Sequence, residues 1–293
     1  MNEFHILDHI VIFDKPSKIN GTPWTEHIPF AFFLISILKP RTLVELGVYT
    51  GESFNAFCQA VKRTNSNTAC YGIDTWQGDE HAGFYNETVY DNLSTYIKSE
   101  YSSFAYLMKM TFNEALQCFA DGSIDLIHID GLHTYEEVKH DFESWLPKMS
   151  TKGVVVFHDT QVKDCNFGVW NLWEEISKAY PSFELKHGYG LGIVAVGKEV
   201  DRAFLNFLHD NRKNVYERLF FFLGNSLLLQ LALEKLQSEL AQKIQTIELT
   251  QNELQQKNQL LDNIQRSRSW KILQFLRKIK SVLRGKLRNG ISQ

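Results

Sequence analysis

The sequence predicts an α/β fold in which helices cover both faces of a mostly parallel sheet. Between residues 40 and 200, short runs rich in β-branched and aromatic residues alternate with amphipathic helical patterns. Several of these runs end in polar residues, and ligands of open α/β sheets bind outside the carboxyl ends of the strands. With 293 residues, 44% of them hydrophobic and 13% aromatic, the chain can bury a large core.

Each predicted element follows from its local pattern. Strands are predicted at residues 42–45, 70–74, 104–109, 124–130, 153–158, 183–187 and 192–196. Helices are predicted at residues 24–38, 53–64, 112–119, 135–145 and 168–180. The last two strands flank a glycine-rich stretch, which predicts a hairpin that ends the sheet. The predicted division is an N-terminal extension (1–24), an α/β domain (25–200), a helical coiled-coil segment (201–265) and a basic amphipathic tail (266–293).

The segment Thr42-Leu-Val-Glu-Leu-Gly-Val-Tyr-Thr-Gly-Glu-Ser53 predicts a strand, a tight turn and a helix start. Gly47 and Gly51 let the backbone approach a ligand closely, and the first helical amides can donate to an anionic group. Asp74, at the end of the second predicted strand, can accept hydrogen bonds from ribose hydroxyls, or else cap the next helix. The chain lacks both G-x-G-x-x-G and G-x-x-x-x-G-K-[ST], so we expect a nucleoside rather than a dinucleotide or a triphosphate.

These motifs, together with Ile129-Asp-Gly-Leu-His133, resemble class I S-adenosylmethionine-dependent methyltransferases. The likeness is greatest to the metal-assisted O-methyltransferases, including bacterial sugar and macrolide O-methyltransferases and their cephalosporin hydroxylase relatives. It covers roughly residues 22–198 and implies a Rossmann-like, seven-stranded methyltransferase sandwich that binds S-adenosylmethionine. It also implies cofactor-binding roles for Glu45, Gly47, Tyr49, Gly51, Ser53, Asp74 and Trp76, with Asp74 at the ribose and Trp76 on the adenine side.

Methyl transfer to oxygen requires that the acceptor hydroxyl, with a pKa of roughly 15 to 16, lose its proton. A divalent cation lowers that pKa, and a nearby base takes the proton. By resemblance, His133 is the general base, and Asp130, His158 and Asp159 are metal ligands. Because imidazole suits Mn, Fe or Zn better than Mg, His158 leaves the choice of Mg or Mn open. The alternatives are a supporting role for His158 beside the ligands, and no catalytic role for His133.

The charge distribution separates an acidic body from a basic end. Nine Lys and Arg residues follow from Arg266 onward, and all 34 Asp and Glu residues precede it. An acidic body disfavours nucleic-acid binding. The cysteines Cys58, Cys70, Cys118 and Cys165 show no C-x-x-C spacing, which predicts reduced thiols in the cytoplasm. No secretory signal and no membrane-spanning helix are expected, because the most apolar stretch, 219–233, is short and interrupted by polar residues.

Apolar residues recur every seven positions after residue 230, at Leu233, Leu240, Ile247, Leu254 and Leu261. This spacing predicts a coiled coil and therefore a homo-oligomer, with a single long surface helix as the alternative. The tail places Trp270, Leu273, Leu276, Ile279 and Leu283 near one helical face and basic residues on the others. Such a helix can lie in a membrane interface, or else dock on the acidic body.

The predicted function is a cytoplasmic S-adenosylmethionine-dependent O-methyltransferase, peripheral to the inner membrane. The predicted acceptor is a hydroxyl of a sugar in a bacterial surface glycan or its precursor, which rests on family likeness and on the tail. Two alternatives stay open: a non-catalytic scaffold of a glycan-synthesis assembly, and a metal-dependent hydroxylase on the same fold.

Overall fold

One seven-stranded sheet organises the first of two units, Met1–Leu231, while the second is Ala232–Gln293. The computed structural model describes residues 4–79, 83–164 and 166–289. The sheet strands are β1 (Thr42–Leu46), β2 (Ala69–Asp74), β5 (Ala105–Lys109), β6 (Ile124–Ile129), β7 (Met149–His158), β8 (Ser182–Leu185) and β9 (Leu191–Ala195); a separate ribbon pairs β3 (Gly78–Asp79) with β4 (Gly83–Phe84). The sheet order is β5-β2-β1-β6-β7-β9-β8. The first five strands in that order are parallel, and β9 is antiparallel to both β7 and β8.

Helices cover the sheet on both sides. The α-helices of the described chain are α1 (Ile28–Leu38), α2 (Glu52–Thr64), α3 (Thr88–Glu100), α4 (Phe112–Ala115), α5 (Tyr135–Trp145), α6 (Val169–Ala179), α7 (Arg202–His209), α8 (Lys213–Arg266) and α9 (Arg268–Asn289). Two apolar cores result: one holds the inner faces of α1, α2, α3 and α7, and the other those of α4, α5 and α6. Neighbouring strand residues alternate between these cores, as Leu43 and Val44 do, which confirms the predicted α/β sandwich.

The structure differs from the sequence prediction mainly at element boundaries. α1 begins at Ile28 because Pro23–His27 forms a 3-10 helix instead. Strand β7 begins at Met149, four residues before the predicted start. Helix α3 was not predicted, because its buried stripe consists of Leu93, Ser94 and Ile97 alone and gives a weak helical period. The predicted closing hairpin is confirmed, with Leu185 opposite Leu191 in its register.

The second unit, taken by itself, consists of the C-terminal part of α8 and the whole of α9. The predicted heptad residues are on a helix, and their large side chains are exposed, as at Leu240 and Leu254. The predicted helical tail is present as α9, although the side chain of Leu283 lies outside the described part of the chain. The coiled-coil pairing and the membrane contact stay predictions.

Helix α8 departs from the expectation that no helix is apolar enough to cross a membrane. By length and composition alone it qualifies, with 17% of its 18-residue apolar window buried. Its first part also supplies Tyr216, Phe220 and Leu227 to the apolar core of the first unit. A mostly buried core helix also passes this test of composition.

Candidate active site

The glycine-rich junction forms the turn between β1 and α2. Gly47 has a φ of 86°, and a Cβ atom there would lie 2.0 Å from the carbonyl oxygen of Asp130. Gly51 has a φ of 79° and caps α2, where a Cβ atom would lie 2.4 Å from Leu93 Cδ1. Both positions therefore require glycine, and the turn lies directly against the end of β6.

Asp74 fixes the shape of this turn from the end of β2. Its Oδ2 accepts the backbone N–H groups of Val48 and Tyr49, each at 2.9 Å. Its Oδ1 accepts the N–H of Trp76 at 2.7 Å. The carboxylate thus takes three backbone donors and is 8% exposed, with acceptor capacity left on Oδ1. The predicted contact with a ribose stays a prediction, and the alternative helix-capping role is replaced by this turn.

A cavity of about 740 Å³ opens at the carboxyl ends of β1, β2, β6 and β7. The predicted site residues that line it are Gly47, Tyr49, Ser53, Asp74, Asp130, His133, His158 and Asp159. Its volume is within the range of roughly 300 to 1,000 Å³ that small-molecule sites occupy. The structure therefore brings the glycine turn and the two later strand ends to one cavity, as the resemblance implies.

Three of the predicted cofactor residues lie behind the cavity wall instead. Glu45 is fully buried, with Oε1 2.7 Å from Nδ1 of His128. Burial raises the pKa of Glu45, against the lowering effect of its contacts with His128 and Ser53. Trp76 is 2% exposed and donates its indole N–H to the carbonyl of Tyr49 at 3.0 Å. Trp76 therefore supports the turn, as Gly51 does, and the contact of these three residues with a cofactor stays a prediction.

Two carboxylates and two imidazoles form a cluster at the ends of β6 and β7. His133 Nε2 lies 2.9 Å from Asp159 Oδ2 and 3.5 Å from Asp130 Oδ1. His158 Nδ1 lies 3.3 Å from the same two oxygens. The His133 ring also stacks on Phe167, with ring centroids 4.5 Å apart. Asp159 follows β7 with a φ of 62°, and this left-handed backbone conformation turns it toward the cluster.

In this cluster the histidines are protonated and the carboxylates are ionised. Burial opposes the charge of His133, but hydrogen bonds to Asp130 and Asp159 outweigh it and raise its pKa to about 9. The pKa of His158 is raised well above its usual value, because the two carboxylates again outweigh burial. Conversely, burial is outweighed at Asp130, whose pKa is held well below its usual value by the positive charge of His158 and by hydrogen bonds. The four groups therefore carry balanced charges at neutral pH.

His158 uses both of its ring nitrogens in this arrangement. Nε2 lies 3.1 Å from the carbonyl oxygen of Gly188, and Nδ1 faces the two carboxylates. Since carbonyl and carboxylate oxygens only accept, both nitrogens must donate, which makes His158 a cation. This geometry matches the supporting alternative for His158, while its role as a metal ligand stays a prediction.

The residues that fit a divalent cation are Asp130, His133 and Asp159, whose ligand atoms lie within 4.8 Å of one another. Asp159 Oδ1 is buried and has no hydrogen-bond partner among the described residues. Two carboxylates and one imidazole form a donor set that accepts Mn²⁺ or Mg²⁺. The structure thus groups His133, rather than His158, with the two carboxylates.

The structure also brings residues to the site that the sequence does not single out. Trp24 lines the cavity and donates its indole N–H to His128 Nε2 at 3.3 Å. Glu52 also lines the cavity and is 4% exposed. Outside the cavity, the His187 ring lies 5.1 Å from that of the buried His27, and burial lowers the pKa of His187 to about 4. No local signal identifies them, because their partners are distant along the chain.

A family comparison supports this arrangement. Residues 44–160, from β1 to the end of the His158-Asp159 pair, match the family model described as "Methyltransferase domain". This segment is a methyltransferase domain. The resemblance to S-adenosylmethionine-dependent methyltransferases is therefore confirmed, and the matched residues include the glycine turn, Asp74 and the cluster of two carboxylates and two imidazoles.

One curated relative is the uncharacterized protein y4gI of Sinorhizobium fredii (strain NBRC 101917 / NGR234). It is 46% identical over 177 residues, which are 60% of this chain and 19% of that protein. The chain therefore spans about a fifth of the length of this relative.

Solved structures with a similar fold include a putative caffeoyl-CoA O-methyltransferase from Staphylococcus aureus. It is 18% identical with a TM-score of 0.46, and the match covers 58% of this chain and 82% of that one. Another is an O-methyltransferase from Bacillus cereus in complex with SAH. It is 13% identical with a TM-score of 0.45, and the match covers 65% of this chain and 90% of that one.

We predict that His133 keeps its proton well into the alkaline range when no divalent cation is added. Its pKa of about 9 lies above the usual value, so its ion pairs add stability that is complete below about pH 6.5 and is lost as the pH rises through about 9. Histidine ring titration by ¹⁵N NMR measures this, and Mg²⁺ should lower the midpoint. A His133 midpoint near 6.5 without added cation contradicts the prediction.

Proposed function

We propose that this protein transfers a methyl group from S-adenosylmethionine to a hydroxyl oxygen. The observation that carries the proposal is the single cavity shared by the glycine turn at Gly47, the strand-end Asp74 and the Asp130-His133-Asp159 cluster. The sulfonium is an activated donor, so the protein has to align oxygen, methyl carbon and sulfur and to remove the acceptor proton. The match of residues 44–160 to a methyltransferase domain supports the donor.

The charge of the cavity is consistent with this donor and with an uncharged acceptor. Among the described residues that line it are four carboxylates and no Lys or Arg. Acidic side chains favour the sulfonium cation over a phosphate-bearing ligand. Because no described lining residue is Lys or Arg, we expect that the part of the acceptor inside the cavity is uncharged.

His133 is the group that takes the acceptor proton in this proposal. It lines the cavity beside Asp130, and its Nε2 is the atom that both carboxylates hold. A base must be neutral to act, so the carboxylates that raise the pKa of His133 to about 9 oppose it at neutral pH. In this role His133 is not a ligand: a divalent cation held by Asp130 and Asp159 alone would offset these carboxylates and lower the pKa of the acceptor hydroxyl.

The acceptor that we propose is a sugar hydroxyl in a surface glycan or its precursor. Exposed tyrosines stand at the cavity, with Tyr49 42% and Tyr189 57% exposed, and the Tyr49 and Tyr85 rings are 4.8 Å apart. Flat aromatic faces beside a cavity that no described Lys or Arg lines suit an uncharged polyhydroxyl ring, whose C–H face is apolar. The basic tail supports a location near membrane-linked glycans.

We predict that His133→Ala lowers methyl transfer by about 100-fold or more, because a positioned base contributes roughly 10²- to 10⁴-fold. The assay incubates the full chain with methyl-labelled S-adenosylmethionine and a glycan panel, with and without EDTA. The matched control is His140→Ala, an exposed histidine on α5. Full activity of His133→Ala removes the proposed base, and activity that EDTA leaves unchanged removes the cation. A product that gains an oxygen instead of a methyl group identifies a hydroxylase.

We further propose a homo-oligomer formed by the heptad residues of α8. Ile247 and Leu254 are more than half exposed on this helix, and burying such a row against a second copy stabilises both helices. Ile247→Glu with Leu254→Glu is expected to yield a monomer by size-exclusion chromatography with light scattering. Gln245→Glu with Asn252→Glu, which adds the same charge off the heptad row, should leave the oligomer intact. A monomeric wild-type chain contradicts the proposal.

The tail is proposed to bind an anionic membrane surface through α9. Exposed apolar side chains of this helix, such as Ile272 and Phe275, lie among basic residues and no acidic ones. The triple change of Arg277, Lys278 and Lys280 to Gln should weaken binding to phosphatidylserine vesicles by about 100-fold, at roughly 1 kcal/mol per charge. The control, with the same net charge, changes Lys98, Lys152 and Lys186 to Gln. Equal sedimentation of the two variants with vesicles contradicts the proposal.

A further inference from the structure

The segment before α1 forms part of the cavity wall, although the sequence places it largely in an N-terminal extension. We name residues 15–25 the N-terminal strap. Three strap residues, Thr22, Pro23 and Trp24, line the cavity beside the glycine turn. The strap is therefore placed where it can shape the site, provided that something holds it there.

The carboxylate of Glu52, the first residue of α2, holds the strap. Its Oε1 accepts the backbone N–H groups of Asn20 at 2.7 Å and of Gly21 at 3.2 Å. The same oxygen accepts the hydroxyl of Thr25 at 2.8 Å. Oε2 accepts the backbone N–H of Thr22 at 3.1 Å and also its hydroxyl. Five donors from the strap thus converge on one side chain.

Every donor in this set requires an acceptor, and only a carboxylate supplies enough of them. Glu52 is 4% exposed, so water does not replace these bonds. Its position in the first turn of α2 also favours a negative charge, because the partial positive charge of the helix N-terminus lies there. An amide at this position would turn an N–H₂ group toward N–H and O–H donors, which leaves some of them unsatisfied.

Hydrogen bonds before and after the Glu52 contacts along the chain also fix the strap. Upstream, the backbone N–H of Ser17 donates to Gln59 Oε1 at 2.6 Å, and Gln59 Nε2 donates to the carbonyl of Lys15 at 2.9 Å. Downstream, Trp24 is 3% exposed and donates to His128, which is bonded to Glu45. Glu52 thus attaches the strap to α2, and the end of the strap is linked through Trp24 and His128 to the buried Glu45.

We propose that Glu52 is a positioning residue that sets the N-terminal strap as a wall of the methyl-donor site. It acts on the donor through Thr22, Pro23 and Trp24. Only the test by ligand affinity rests on the proposed function, because the position of the strap can be measured without any ligand.

The first test is amide hydrogen exchange over residues 15–25 in the full chain without ligand. Glu52→Gln is expected to speed exchange of the strap by about 10-fold or more, because the loss of hydrogen bonds to a buried charged group makes local opening of the strap easier. Glu143→Gln, an exposed residue of α5, is the matched control and should leave the strap unchanged. Unchanged exchange in Glu52→Gln overturns the inference.

The second test is the affinity for S-adenosylhomocysteine by calorimetry, with donor KM and kcat where activity is found. Glu52→Gln should raise the dissociation constant and the donor KM by about 10-fold, with a smaller effect on kcat at saturating donor. Faster strap exchange with unchanged affinity and KM overturns the positioning role. If the wild-type chain binds no S-adenosylhomocysteine, the proposed function fails, and exchange alone then decides whether Glu52 holds the strap.

A milder variant covers the case in which Glu52→Gln does not fold. Thr25→Val removes one buried hydroxyl donor and keeps the shape of the side chain and the carboxylate. We expect the same changes in exchange and affinity, but by less than those of the glutamine variant. If Glu52→Gln is unfolded and Thr25→Val changes neither the exchange of the strap nor the affinity for S-adenosylhomocysteine, the inference is also overturned.

Discussion

The close approach of Gly47 to the backbone of Asp130 is the contact on which the candidate site depends. A side chain at Gly47 would overlap the carbonyl of Asp130, so the two strand ends can meet only because this residue has no Cβ. This contact joins the turn that would face the predicted cofactor to the cluster that would face the proposed acceptor. Without it, the two halves of the chemistry would not share a cavity.

Buried carboxylates have two different roles around this contact. Asp74 and Glu52 accept several donors from the chain itself, so their negative charges fix the glycine turn and the strap. Asp130 and Asp159 instead face histidines, and Asp159 keeps one buried oxygen without a partner among the described residues. Asp74 and Glu52 thus organise backbone in the folded chain, whereas Asp159 keeps a buried oxygen that a ligand can reach in the proposed reaction.

The balance of two carboxylates and two imidazoles explains how such a cluster is stable in a partly buried place. Each charge alone would be costly to bury, and each pair offsets that cost. The same balance sets a chemical constraint, because His133 holds a proton that a general base must first lose. A cation, or a ligand that displaces the carboxylates from His133, would remove this constraint.

The sequence by itself determined the fold class, the glycine junction and the acidic and histidine residues at the strand ends. These features are local: strand periodicity, glycines at a turn and polar residues after apolar runs are read within about ten positions. The heptads and the basic tail are local patterns too, but the sequence does not determine what the heptad helix or the tail binds. The family match over residues 44–160 agrees with that local pattern.

Only the tertiary structure decided which of these residues reach the cavity. Glu45 and Trp76 belong to the right motifs but face the interior, because alternate strand residues point to opposite faces and Trp76 packs against Tyr90. Glu52 and Trp24 act through partners that lie 27 and 104 positions away along the chain. Such contacts have no local signature, since they arise when packing brings separate segments together and burial makes every donor find an acceptor.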